Sequence, residues 1–209
     1  MVRLVVSALE METSKGKGGY PMLHTGVGKV NAAISLTEFL RDNNPSEIIN
    51  FGTAGSRTLP IGSLVKCTKF VQRDMDKTAL GFKRGETAYD GEDYPMVLDF
   101  GKGPVCGTGD NFVEDINNEL EIIDVFDMEA YALAKVCYRY NIPFTSYKYI
   151  TDNADEKSSK GTVVADFLTA GIDNLSDGIK LFEARLDHID NKITSGELFD
   201  IEYTVFENK

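Results

Sequence analysis

The stretch IIDVFDMEAYALAKVCYRYNIPFTSYKYITD, residues 122–152, decides the fold class. Ile122 to Phe126 reads as a strand. Met128 to Tyr140 reads as a helix, because Ala130, Leu133, Ala134 and Cys137 recur at the i, i+3, i+4, i+7 spacing of a buried face. Asn141 and Pro143 supply its stop signals, and Phe144 to Thr151 forms the next strand. Strand, helix and strand in close succession indicate an α/β architecture. The same stretch sets two carboxylates, Glu129 and Asp152, at the ends of elements that such a sheet brings together. Carboxylates so placed suit two tasks, gripping a sugar diol and handing a proton to a leaving group.

Outward from this stretch the alternation continues. Arg3 to Ala8 and Tyr20 to Thr25 read as strands, and Lys29 to Asp42 as a helix with Val30, Ala33, Leu36 and Leu40 along one side. Pro45 ends it. Ser46 to Phe51 is a short buried strand closed by the glycine loop Gly52-Thr53-Ala54-Gly55-Ser56, and Ser63 to Arg73 is one further strand. Asp74 to Pro95 is charged and aperiodic, a long loop of the kind that is usually functional. Met96 to Phe100 and Pro104 to Thr108 are strand candidates. Asp166 to Leu186 is a long amphipathic helix, and the tail from Gly196 alternates as an edge strand or partner contact would. The reading is a single α/β domain over residues 1–188, a central mixed twisted sheet flanked by helices, with residues 189–209 as a C-terminal tail.

The 209 residues suffice for one substantial core. The formal charge of −11, from 33 acidic and 22 basic residues, repels phosphate backbones and argues against nucleic-acid binding. No apolar run approaches the ~20 residues needed to cross a bilayer, and the N-terminal run turns acidic too early for a signal peptide. No membrane partner is expected, and the cytoplasm is the expected compartment. Three separated cysteines, Cys67, Cys106 and Cys137, offer neither a disulfide framework nor a zinc site. Two histidines, His24 and His188, read as a strand residue and a surface residue, which disfavours a Ser-His-Asp or Cys-His mechanism.

Three glycine-bearing turns follow strands: Gly26-Val27-Gly28, Gly52-Thr53-Ala54-Gly55 and Gly107-Thr108-Gly109. None has Walker or dinucleotide spacing, yet three together favour a small-molecule site beyond the strand ends. Glu12 is either a surface acid or a general base on water. Asp152 is likewise either a surface acid or, with Asp155 and Glu156 near it, a general acid. Phe112 is either a core aromatic or a platform for a flat ring.

At these residues the chain resembles the purine nucleoside phosphorylase superfamily, and within it the 5′-methylthioadenosine/S-adenosylhomocysteine nucleosidases. The resemblance runs from residue 1 to about residue 185. It rests on six ordered motifs: residues 7–12 (SALEME), 25–33 (TGVGKVNAA), 50–55 (NFGTAG), 107–113 (GTGDNFV), 127–130 (DMEA) and 150–155 (ITDNAD). It implies Glu12 as the acid that activates water, with Thr53 beside that water. It implies Phe112 stacked on the purine, Val113 bonding the base edge through its backbone, and Met128 and Glu129 holding the ribose. Asp152 matches the proton donor to purine N7. Leu9, Ala54, Gly55 and Lys148 are carried over as substrate-binding positions.

The implied chemistry suits these residue types. Breaking the N-glycosidic bond builds a positive, oxocarbenium-like ribose and a departing purine anion. Protonation of the purine by Asp152 contributes roughly 10²–10⁴-fold, and Glu129 favours the positive sugar. Phosphorylases of the superfamily hold phosphate with a GDPxR-type segment and further arginines. Glu10-Met11-Glu12 stands there instead, so hydrolysis is preferred. The expected substrates are a 5′-modified adenosine and water, with no cofactor, no metal, a homodimeric assembly and a place in methionine salvage. The alternatives are another purine nucleosidase (futalosine hydrolase-like), a phosphorylase, or a non-catalytic nucleoside-binding protein. Two departures stand out: Lys148 replaces a common arginine, a point charge for a planar fork, and Thr53 replaces a serine.

Overall fold

In the computed structural model, which describes residues 2–13, 20–88, 95–113, 120–154, 178–184 and 187, the apolar run at the N-terminus forms β1 (Arg3–Ser7). It pairs in parallel with β2 (Met22–His24) on one side and β3 (Glu47–Ser56) on the other. Between β2 and β3 lies α1 (Lys29–Asp42). β3 also runs parallel to β9 (Phe144–Asp152) over nearly its whole length, and β9 takes β4 (Leu64–Cys67) antiparallel on its far side. The second half of the sheet is built from β5 (Lys69–Gln72), β6 (Val97–Asp99), β7 (Val105–Thr108) and β8 (Val125–Asp127), and α2 (Ala130–Tyr140) links β8 to β9. These nine strands make one mixed sheet, with β8 joining the tip of β3 antiparallel at Gly55 and Ser56.

Strand periodicity sorts the core onto two faces. Leu4, Val6, Ile48 and Ile150 point to the side covered by α1 and α2, where they meet Leu36, Leu133, Ala134 and Cys137. Val5, Ile49, Phe51, Tyr147 and Tyr149 point the other way, where the helical segment 178–184 lays Phe182 on Phe51 with ring centroids 4.4 Å apart. α2 ends at Asn141, whose left-handed φ of 54° lets its N–H reach Cys137 and Tyr138 oxygens.

Four sequence expectations change. The run Ser63 to Arg73 is two strands: the chain breaks at Thr68, which bonds Gly101 and Phe100, so that β4 pairs with β9 and β5 with β6 and β7. Gly52 to Ser56 is not a loop but the distal half of β3, because β9 pairs with it as far as Asp152. Val30 is exposed, since the core-facing positions of α1 are Ala32, Leu36 and Leu40 at four-residue intervals. The helix begins at Ala130, so Met128 and Glu129 lie in the bend before it. Among the expectations outside the described residues are most of the helix at 166–186, Asp155, Glu156, His188 and the tail.

Candidate active site

The carboxyl ends of β1, β3, β7, β8 and β9 converge on one cavity of about 270 Å³. Glu12, Leu9, Thr53, Ala54, Gly55, Phe112, Val113, Met128, Glu129 and Asp152 all line it. Lys148 does not. Its ammonium is buried behind the wall, 2.7 Å from the Asp127 carboxylate. The residue expected to bind substrate thus stands beneath the cavity, against Gly52 and beside Glu12. Strand parity explains this: Lys148 shares its face of β9 with Ser146 and Ile150, toward α2.

Glu12 closes a single 3-10 turn, Glu10–Glu12, directly after β1. That turn folds its carboxylate back onto the main chain, where the N–H groups of Ala8 and Leu9 donate to Oε2, each at 3.0 Å. From β3, the Thr53 N–H and hydroxyl approach Oε1 at 3.3 and 3.4 Å. A side chain only 7% exposed is thus held by four donors, with its carboxylate at the cavity edge. Gly52 makes this approach possible. A Cβ there would stand 3.4 Å from Glu12 Oε1 and 3.2 Å from Lys148 Nζ.

Glu129 sits in the bend between β8 and α2. The Gly28 N–H, at the head of α1, donates to its Oε1 at 2.8 Å. Burial, then the neighbouring Asp127 charge, push this carboxyl up from 4.5 to about 7, against the opposing pull of Lys148. Asp127 behaves differently although it is more deeply buried. Burial alone would raise it, but the Lys148 charge and hydrogen bond, with donors from Thr108 and Ala130, hold it below its ordinary value. Lys148 is correspondingly held above the usual lysine range, because Asp127 outweighs the effect of burial.

Asp152 ends β9. Its Oδ1 accepts the Ala154 N–H at 2.8 Å and its Oδ2 accepts the Thr151 hydroxyl at 3.1 Å. Gly55 opposes it in the β3–β9 register, and a Cβ there would lie 2.5 Å from Asp152 Oδ1 and 2.9 Å from the Ala154 Cβ. Glycine is what lets the two strand tips close on each other. Phe112 is 55% exposed at the mouth and Val113 is buried behind it, while Phe126 adds a second, buried aromatic to the wall. Arg73 also borders the cavity, 2% exposed, with its guanidinium donating to the Asn111 carbonyl.

Arg73, Asn111 and Asp127 are site residues that sequence reasoning left without a role. For Asp127 a signal existed, since an aspartate directly before a helical pattern suits a cap. For Arg73, at the end of what reads as one continuous strand, no sequence signal existed. Among the described residues no cluster of histidine, cysteine, aspartate and glutamate has a metal-holding arrangement.

A carboxylate held by main-chain donors, a second one raised toward neutrality and a third at a strand tip face this one cavity of about 270 Å³. Such a space suits a small molecule that carries hydroxyl groups beside a flat ring. The sequence pattern of the Phosphorylase superfamily matches residues 7–102 and 101–186. A 5′-methylthioadenosine/S-adenosylhomocysteine nucleosidase of Bacillus cereus (strain B4264) is 33% identical over 165 residues, which is 66% of this chain and 70% of the relative. In fold, the Helicobacter pylori 5′-methylthioadenosine/S-adenosylhomocysteine nucleosidase with butyl-thio-DADMe-Immucillin-A superposes with a TM-score of 0.74 at 20% identity, over 90% of this chain and 99% of that one. Futalosine hydrolase of Helicobacter pylori strain 26695 gives a TM-score of 0.72 at 19% identity, over 90% and 98%. The chain belongs to the phosphorylase superfamily and, within it, to the family of the 5′-methylthioadenosine/S-adenosylhomocysteine nucleosidases.

Proposed function

We propose that this protein hydrolyses the N-glycosidic bond of 5′-methylthioadenosine, S-adenosylhomocysteine or a related 5′-modified adenosine, releasing adenine. The observation that carries the reading is the convergence of Glu12, Glu129 and Asp152 on one cavity. Asp152 donates a proton to the departing purine. Its fixed contacts, from Thr151 and Ala154, hold the carboxyl at the strand tip. Glu129 binds the ribose hydroxyls and stabilises the positive sugar as the bond breaks. Gly28 occupies one of its oxygens, and the other remains for the sugar. Glu12 takes a proton from the attacking water, oriented by Ala8, Leu9 and Thr53.

The Glu12 carboxylate supports water rather than phosphate as the nucleophile. The wall where a phosphate would enter carries the Glu12 carboxylate, and the nearest cation behind it, Lys148, is committed to Asp127. Phe112 covers the purine and Val113 offers its main chain to the base edge. Free base is assayed from a panel of nucleosides with and without phosphate, including one with a bulky 5′ group such as futalosine. Release from 5′-methylthioadenosine without phosphate is the expected result, and release only with phosphate refutes it.

The same proposal includes a homodimer, the cytoplasm and methionine salvage. Val27, Val30 and Ile34, exposed at the head and along α1, support self-association. Three buried free thiols suit a reducing compartment. Light scattering of the purified protein tests the dimer.

A further inference from the structure

Two buried charges of opposite sign meet in the wall of this site and beneath it: Asp127 is part of the cavity lining, and Lys148 is not. Asp127 and Lys148 have side chains 0% and 1% exposed, joined at 2.7 Å. A buried ion pair is weak evidence for stability, because desolvation of two charges offsets most of their attraction. Its contacts point to another use. Asp127 Oδ2 also accepts the Ala130 N–H at 2.8 Å and the Glu129 N–H at 3.3 Å, and so fixes the bend that presents Glu129. Its Oδ1 accepts the Thr108 hydroxyl at 2.5 Å, and that hydroxyl in turn accepts the Tyr131 N–H at 2.8 Å. On the other side, Lys148 Nζ and Glu12 Oε1 lie against the same bare face of Gly52. One cation therefore stands behind both carboxylates that face the ribose and the water.

We propose that Asp127 and Lys148 are a positioning pair for catalysis: Asp127 sets the orientation and charge of Glu129, and Lys148 locks Asp127 while standing across Gly52 from Glu12. The inference deepens the hydrolase reading and rests on it for its kinetic arm only. The charged groups facing Glu129 are Asp127 from β8, Lys148 from β9 and Glu12 from the turn after β1. Cys106 of β7 faces the pair but is pushed well above its ordinary value by burial, then by Cys67, and stays a neutral thiol. Of these groups Asp127 raises Glu129 most and Lys148 opposes it. Neutralising Asp127 therefore lowers the Glu129 titration.

The test uses carbon-13 glutamate labelling to read Glu129 in the ligand-free protein, beside kcat and KM against pH. In Asp127→Asn, whose amide oxygen can keep the Glu129 and Ala130 donors while its NH2 faces the Thr108 hydroxyl, the Glu129 midpoint is expected to fall from about 7 toward 4.5. The acid limb of kcat/KM moves the same way. The double variant Asp127→Asn/Lys148→Met leaves no unpaired buried charge and gives the same direction if the single variant does not fold. Lys148→Met lowers kcat by ~10²-fold with little change in KM, as a displaced catalytic group does, and Lys148→Arg restores most of it. An unmoved Glu129 midpoint in both Asp127 variants overturns the proposal, as does a Lys148→Arg variant no better than Lys148→Met. A wild-type protein that releases no base, yet whose Glu129 titration responds as stated, removes the hydrolase reading and leaves the pair.

Discussion

Replacing Glu129 by glutamine separates the cost of this site from its use. Glu129 is 9% exposed, and its carboxyl is raised from 4.5 to about 7 by burial and by Asp127. For an acid whose folded value is raised, the folded state holds its proton more tightly than the unfolded chain. The wild-type stability contribution is therefore full below 4.5 and is lost as pH rises toward 7. At 1.36 kcal/mol per pH unit the difference amounts to about 3 kcal/mol, most of which develops between pH 5 and pH 8. Glutamine keeps the oxygen that accepts the Gly28 N–H and does not titrate. Urea denaturation of both proteins at pH 5 and pH 8 measures the gap. The variant should become more stable relative to wild type by about 2–3 kcal/mol over that interval, while base release falls at least ~10²-fold. A stability gap equal at the two pH values refutes the reasoning, because Glu129 would then carry no raised titration.

Two other substitutions probe the walls. Gly55→Ala places a methyl 2.5 Å from Asp152 Oδ1 and 2.9 Å from the buried Ala154 Cβ, so the carboxyl and the strand tip must move; kcat should fall ~10²-fold and the melting temperature should fall with it. Phe112→Ala removes a half-exposed ring from the mouth. It should raise KM for the nucleoside by ~3–10-fold through lost stacking and leave folding stability within about 0.5 kcal/mol, as denaturation at one pH will show.

Much of the site was readable because its residues cluster in short motifs at strand ends, where an α/β sheet collects ligands. Helix and strand periodicity gave the order of elements around residues 122–152, and α2 packs the face that its spacing marks. What escaped the sequence depends on pairing partners. The break at Thr68 is invisible in a continuous apolar run, since only the separate partners of β4 and β5 define it. Glycines at 52 and 55 look like a loop on propensity, yet they are strand residues kept small by Lys148, Glu12 and Asp152 behind them. The resemblance names Lys148 but not its direction, which comes from its parity with Ser146 and Ile150 and turns it toward α2 and Asp127.

Protonation of the purine by Asp152, while water rather than phosphate takes the sugar, has a plain kinetic signature. The direct measurement is adenine release from 5′-methylthioadenosine in phosphate-free buffer by the wild-type protein and by Asp152→Asn. Steady release by the wild type and a loss of at least ~10²-fold in the folded variant are expected. Equal rates for the two proteins, or no release until phosphate is added, contradict this chemistry.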